Sequence, residues 1–290
     1  NLKYSTKFSP IIYKEDLIVI KYSGELQSFN KITGKVNFSI NIHNNKNFWG
    51  GVPWGGMALD EKNEIIYTVL GNPRPGTYGV KRVGPNKNSS SVVALDLKTK
   101  KILWTFQETI HDLWDLDIAF PPILITLKIN NKKYDCIILS TKIGNMILLE
   151  RLTGKPIFDI SYKKAPRSSV PSEVTAPFQP YIEKPEPMTK FEFTKEDISK
   201  LDEKRKKYLL KILKDYEYGW FKPPSIGVPL IYMANGPAWE GGAIDPFKKK
   251  FYSPVNQMPT VIHMNLYSQW PHLKLDKKYD ESYEIYINKC

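Results

Sequence analysis

Over the first 160 residues, apolar side chains come in short β-branched or aromatic runs broken by Gly, Asn and Lys-Thr-Gly turn chemistry, a pattern that predicts β-structure. Residues 11–13, 17–22, 25–29 and 36–40 read as four consecutive strands. Asn30-Lys31-Ile32-Thr33-Gly34-Lys35 is the turn before the last of them. The same unit of strand, x-Thr-(Gly/Lys)-Lys turn and strand returns over 91–104 and over 144–158. A second repeat links distant parts of the chain: Trp54-Gly55-Gly56-Met57-Ala58-Leu59-Asp60 is followed by Tyr67, and Trp239-Glu240-Gly241-Gly242-Ala243-Ile244-Asp245 by Tyr252 at the same distance. Repeated four-strand units with periodic Gly and aromatic marks are the signature of an all-β fold, the β-propeller, in which each blade packs its face on the next. The irregular spacing of the repeats means that loops of different length project from the blades.

One insertion breaks the β pattern. Residues 166–187 are rich in Pro and Ser, and the segment after them, 188–216, carries an amphipathic run. Thr194 reads as an N-cap with an acidic first turn, and Ile198, Leu201, Tyr208, Leu209, Ile212, Leu213 and Tyr216 fall on one face at helical spacing. The expectation is a helix of about 20 residues packed on the propeller.

Composition narrows the class. A chain of 290 residues with 41% hydrophobic and 25% charged side chains is long enough for a large core and is not generally disordered. The net charge of +12 opens the question of acidic partners, but the excess is lysine spread singly, which reads as solvated surface and not as a nucleic-acid footprint. Two cysteines, Cys136 and Cys290, exclude a disulfide framework or a Cys-rich zinc site. No apolar run approaches the roughly 18 residues of a membrane span. Because the chain opens at Asn1 and ends at Cys290 in mid-pattern, it is expected to be part of something longer.

The densest polar constellation is Ile110-His111-Asp112-Leu113-Trp114-Asp115-Leu116-Asp117. In an extended backbone Asp115 and Asp117 point the same way, as oxygen coordination of a hard cation requires, and as a general base beside one requires. Asx-turns in a loop give the same spacing, and spacing alone does not decide between them.

The segment 54–155 resembles the pyrroloquinoline quinone (PQQ)-dependent dehydrogenases, eight-bladed propeller enzymes, and is most similar to the membrane-bound glucose and quinate dehydrogenase branch. The resemblance is carried by Trp54-Gly55-Gly56 with Asn72 18 positions after Trp54, by His111-Asp112-Leu113-Trp114-Asp115, by Thr141-Lys142-Ile143-Gly144-Asn145 with Lys142 27 positions after Asp115, and by the Trp239 repeat, where Glu240 departs from the family pattern. It implies about half of a propeller ring over 1–265, with the insertion inside it. Trp54 is then the flat platform under PQQ, where the alternative is a core Trp between blades. Asn72 gives oxygen to Ca²⁺, with Asp115 and Asp117 as further metal ligands; a lanthanide or Mg²⁺ are alternatives. Asp115 is the general base that takes the substrate hydroxyl proton. Lys142 holds positive charge against the quinone oxygens, and Trp239 lies on the cofactor side of its blade.

The resemblance also implies an oxidoreductase of the bacterial periplasm. It would oxidise a sugar, polyol or alcohol and pass electrons to a quinone or to cytochrome c. The family's acidic metal ligand and several cofactor contacts come from blades before this segment, so the isolated 290 residues are expected to hold PQQ poorly and to be inactive. Residues 266–290 read as a linker and then a helix leading into a cytochrome c domain, Cys290 being the first cysteine of a haem c motif. The contrasting expectation is a non-catalytic repeat propeller acting as a cell-envelope scaffold, which shares the strand-turn repeats without needing Trp54, Asn72, Asp115 and Lys142.

Overall fold

The computed structural model describes residues 9–42, 49–198, 201–234, 236–237, 241–265 and 285–286. The first sheet is a meander of β1 (Ile11–Tyr13), β2 (Asp16–Ile20), β3 (Glu25–Asn30) and β4 (Val36–Asn41), each antiparallel to the next. The second is β5 (Met57–Asp60), β6 (Ile65–Leu70), β7 (Ser91–Asp96) and β8 (Lys101–Gln107), again in chain order. A third holds β9 (Ile123–Ile129), β10 (Lys132–Ser140) and β11 (Met146–Glu150).

The turns between strands form for a chemical reason that recurs. Asn30 Oδ1 accepts the backbone N–H groups of Ile32 and Thr33, and Asp96 Oδ1 accepts those of Lys98 and Thr99. In each case a short polar side chain closes the turn that its own strand enters. Asp245 does the same for Phe247 and Lys248.

Period-two alternation then assigns the two faces of each sheet to different neighbours. In β6 every residue is buried: Ile65, Tyr67 and Val69 pack toward Ile137, Leu139, Ile147 and Leu149 of the third sheet, while Ile66 and Leu70 pack toward Ile18, Ile20 and Leu26 of the first. The far face of the third sheet, with Cys136, Ile138 and Leu148, meets Ile244 and Phe251 of a hairpin, β15 (Ala243–Asp245) with β16 (Lys250–Tyr252). Sheets therefore stack in sequence order, as blades do, and among the described residues they do not close into a ring. The aromatic marks lock the blades: Tyr67 Oη and Trp104 Nε1 both donate to the Arg151 carbonyl, at 3.0 and 2.8 Å, and Arg151 pairs with Asp60 at 3.2 Å.

Between the third sheet and the hairpin lie β12 (Ser161–Lys164) with β13 (Phe178–Tyr181), the insertion, and β14 (Leu230–Ala234); β17 (Met258–Met264) follows the hairpin and pairs with β14. The helix differs from its sequence expectation. A 3₁₀ turn, Lys195–Ile198, comes first, and α1 runs only over Glu203–Ile212, ten residues, capped by Asp202 and not by Thr194. The Asp202 carboxylate accepts the Arg205 N–H at 3.0 Å, whereas the Thr194 N–H is itself a donor to Asp197. Leu209, Leu213 and Tyr216 do pack inward, against Phe193, Ile231 and Met233, but Tyr208 is 65% exposed, one position outside the inward stripe.

The C-terminal helix expectation is corrected at the two residues described there. Ile285–Tyr286 form β18, paired with Met264 and His263, so this stretch is strand where the sequence suggested helix. Cys290 and the rest of the 266–290 segment lie outside the described residues. Among the described residues no helix is long and apolar enough to cross a membrane.

Candidate active site

The loops after β6, β8 and β10 converge. The loop after β8 carries the His-Asp-Leu-Trp-Asp run, and every one of its residues except Asp115 is buried. Asp112 is the hub: one carboxylate oxygen accepts the Trp114 N–H at 2.8 Å, and the other accepts the Leu116 N–H and the Ser90 hydroxyl, both at 2.8 Å. Burial pushes its carboxyl above the usual range, against these three donors and the nearby Arg82 charge. His111 Nδ1 faces the Gly84 carbonyl at 2.7 Å, an atom that only accepts, so this nitrogen carries a proton; Nε2 meets Glu173 at 2.8 Å. Trp114 donates its indole N–H to the Lys222 carbonyl at 2.7 Å, stands edge-on to Phe221, and has its own carbonyl capped by the Tyr232 hydroxyl at 2.8 Å.

With its neighbours fastened, the loop turns Asp115 outward. Both His111 and Asp115 take left-handed backbone conformations, φ 54° and 61°. Such conformations in residues other than Gly persist only where the surroundings over-determine them. The Asp115 side chain is 34% exposed, whereas Asp117 is almost wholly buried.

Lys142, at the tip of the loop after β10, joins the two aspartates. Its Nζ lies 2.7 Å from Asp117 Oδ2, 3.5 Å from Asp115 Oδ2 and 3.0 Å from the Asp115 carbonyl. The same ammonium stands 5.6 Å from the centre of the half-buried Trp54 ring. Burial works against the Lys142 charge, but Asp117 and Asp115 outweigh it and hold the ammonium above the usual lysine range. Burial pushes Asp117 up to about 6, with Lys142 resisting, so the pair is ionised at neutral pH.

Asn72 completes the cluster. Its backbone N–H donates to Asp117 Oδ1, while its own side-chain nitrogen is buried with no hydrogen-bond partner among the described residues. Gly71, just before it, allows the close approach: a Cβ there would lie 2.5 Å from Trp54 Nε1 and 3.0 Å from Asp117 Oδ1. The structure thus brings together Trp54, Asn72, Asp115, Asp117 and Lys142. Trp239 lies outside the described residues.

The residues fit a planar acidic quinone and a hard cation. Trp54 offers a half-buried aromatic ring beside a fixed positive charge. The unpartnered buried atom of Asn72 is its amide nitrogen, a donor suited to an acidic quinone, while its amide oxygen is the atom of the type a hard cation takes. Asp115 has carboxylate oxygen free to face a ligand. Asp117 has both oxygens engaged, by the Asn72 N–H and by Lys142, so it joins a metal's shell only if Lys142 leaves Oδ2.

Three supporting residues have no signal in the sequence. Arg82 is completely buried and donates to the carbonyls of Pro75, Gly76 and Asp112 and to Asn86 Oδ1, tying the loop after β6 to the Asp112 hub. Burial lowers its guanidinium to about 10, so it remains a cation. Glu173 comes from the patternless 166–187 stretch, and Glu108 directly follows β8. All three sit in irregular segments, where an isolated charged residue is indistinguishable from a solvated one.

Stacked sheets of propeller type, with Trp54, the Asp115 and Asp117 carboxylates and the buried Lys142 gathered on the loops between them, define a propeller segment with one polar cluster at its loop face. Residues 3–286 match the family glucose/ethanol/alcohol dehydrogenase, beta-propeller domain, PQQ, and the chain belongs to that family. It is 30% identical over 131 residues to the quinoprotein glucose dehydrogenase of Escherichia coli, covering 45% of this chain and 16% of that protein. It is 27% identical over 276 residues to the glycerol dehydrogenase large subunit of Gluconobacter oxydans, covering 89% of this chain and 36% of the relative. The fold is similar to that of the quinohemoprotein alcohol dehydrogenase from Comamonas testosteroni, with a TM-score of 0.57 at 21% identity over 88% of this chain and 38% of that one. The chain thus spans 16% and 36% of the lengths of these two curated relatives.

Proposed function

We propose that this chain is the catalytic segment of a PQQ- and Ca²⁺-dependent dehydrogenase that oxidises a sugar, polyol or alcohol. The observation that supports this most directly is the convergence of Trp54, Asn72, Asp115 and Lys142, which a non-catalytic scaffold has no need to bring together. When bound, the quinone would accept the substrate's hydride. Trp54 would hold the planar cofactor by stacking. Asn72 and Asp115 would supply oxygen ligands to the metal. Lys142, held charged by Asp117, stabilises negative charge that develops on the quinone oxygens.

Asp115 takes the proton from the substrate hydroxyl. It is the only carboxylate of the loop with open access: Asp112 is consumed by three internal hydrogen bonds and Asp117 by Lys142 and Asn72. The Lys142 ammonium stands 3.5 Å from Asp115 Oδ2. In the full protein, electrons would pass on to a quinone or to cytochrome c, with the bacterial periplasm as the setting and haem c as one route.

Replacing Asp115 by Asn in the full-length protein tests the assignment. Dye-linked turnover with PQQ and Ca²⁺ is expected to fall by about a thousandfold, at the level of general-base loss, while PQQ stays bound. Turnover within a few-fold of wild type removes Asp115 from the role.

A further inference from the structure

A buried carboxylate that the mechanism above does not use grips the loop that presents Lys142. Glu108 lies at the end of the loop-entry strand β8 and is 1% exposed. A single oxygen, Oε1, accepts the Thr141 hydroxyl at 2.7 Å and the Asn145 side-chain N–H at 2.8 Å. These are the first and last residues of Thr141-Lys142-Ile143-Gly144-Asn145, so one atom clasps both feet of the turn whose tip is Lys142. The turn is closed on itself as well: the Thr141 N–H donates to the Asn145 carbonyl at 3.1 Å and the Gly144 N–H to the Thr141 carbonyl at 2.9 Å.

The outer side of the turn is also fixed, which confines the adjustment to the feet. Gly144 has φ 100° and touches Thr189 so closely that a Cβ would meet its carbonyl oxygen at 2.4 Å, and the Met188 N–H donates to the Gly144 carbonyl at 2.8 Å. Against that wall Glu108 holds the two feet, and the Gly236 N–H donates to the Lys142 carbonyl at 3.2 Å. The second carboxylate oxygen, Oε2, is buried with no hydrogen-bond partner among the described residues. Burial pushes this carboxyl up to about 7, and a proton on Oε2 leaves both bonds to Oε1 intact.

We propose that Glu108 is a positioning residue: by clasping Thr141 and Asn145 it sets Lys142 against Asp117 and Asp115 and over the Trp54 ring. The proposal deepens the reading of this cluster as a PQQ site, but the position of Lys142 is measurable without cofactor. An isolated buried carboxylate beside two neutral donors is an expensive way to fasten a turn unless the geometry of that turn matters.

The test is the acetylation rate of Lys142 in the full-length protein, followed by mass spectrometry of its peptide under limiting acetic anhydride. In the wild type, Lys142, 4% exposed and paired with Asp117, is expected to be strongly protected. Glu108→Ala is expected to raise the rate about tenfold, Asn145→Ala about threefold, since it removes one of the two bonds, and Glu108→Gln, which retains the accepting oxygen, less than about twofold. If Glu108→Ala shows no cooperative unfolding transition, Asn145→Ala and Glu108→Gln carry the comparison. Lys142 as protected in Glu108→Ala and Asn145→Ala as in wild type overturns the proposal, as does equal exposure in Glu108→Gln and Glu108→Ala. Failure of the wild type to bind PQQ would count against the functional reading and leave this result standing.

Discussion

The blades and the loops that join them hold their shape by opposite means. Between β6 and its neighbours the contact is mainly apolar, Ile65, Tyr67 and Val69 on one face and Ile66 and Leu70 on the other, with the Tyr67 hydroxyl on the Arg151 carbonyl as the polar exception. The loops after β6, β8 and β10 instead bury charge: Arg82, Glu108, Asp112, Asp117 and Lys142 are all buried, each fastened by side-chain hydrogen bonds. Apolar packing tolerates small shifts of volume and direction, whereas a buried charge is costly unless each donor and acceptor is met. The difference shows where precision is spent. The blades need only stack; the loops must hold Asp115, Lys142 and Trp54 in one constellation.

Substitutions in the two regions should therefore separate stability from site geometry. Ile66→Ala, between the first two sheets, is expected to cost about 2–5 kcal/mol in chemical denaturation through the cavity it leaves, with Lys142 protection in the surviving folded protein unchanged. Coupled loss of that protection would show that blade packing and loop geometry are not separable. Asp112→Asn keeps the shape of the hub but replaces an acceptor oxygen with a donor facing N–H and O–H groups. Its cost is expected to be smaller, about 1–3 kcal/mol, while turnover falls further than stability, because Asp115 loses its fixed orientation. Equal proportional losses would place Asp112 with the blades.

Taken per pH unit, the smallest effect is a stability slope. Glu108 titrates at about 7 in the folded chain and near the ordinary 4.5 when unfolded, so between those values the folded state binds one proton more. Its contribution to stability is accordingly retained below about 4.5 and lost as pH rises to about 7, at roughly 1.4 kcal/mol per pH unit at most. The unfolding free energy of the wild type minus that of Glu108→Gln should therefore fall as pH rises across this window. A difference independent of pH would mean that Glu108 is ionised throughout.

The same contrast explains what was legible in the chain. Strands β1 to β4, β7, β8 and β11 follow from short apolar runs, and the turns after β3 and β7 from Asn30 and Asp96, because these signals are local. Trp54, Asn72, Asp115 and Lys142 were legible through the family motifs that contain them, and the structure does gather them. Arg82, Glu108 and Glu173 were not, since their partners lie far along the chain and a lone charge in a loop carries no period. The helix start moved from Thr194 to Asp202 because both residues are followed by acidic and apolar positions at suitable spacing, and only the packing of Leu209 and Leu213 chooses between them. At Ile285–Tyr286 an available edge of β17 overrode the local preference for helix.

The central claim is that Trp54, Asn72, Asp115 and Lys142 form one cofactor site. Equilibrium dialysis of PQQ with Ca²⁺ against the full-length protein, wild type and Lys142→Met, tests it most directly. Saturable binding by the wild type at one PQQ per chain, weakened at least about tenfold in Lys142→Met by loss of the charge facing the quinone, is the predicted result. Equal affinity in the two proteins, or no saturable binding by the wild type, would contradict it.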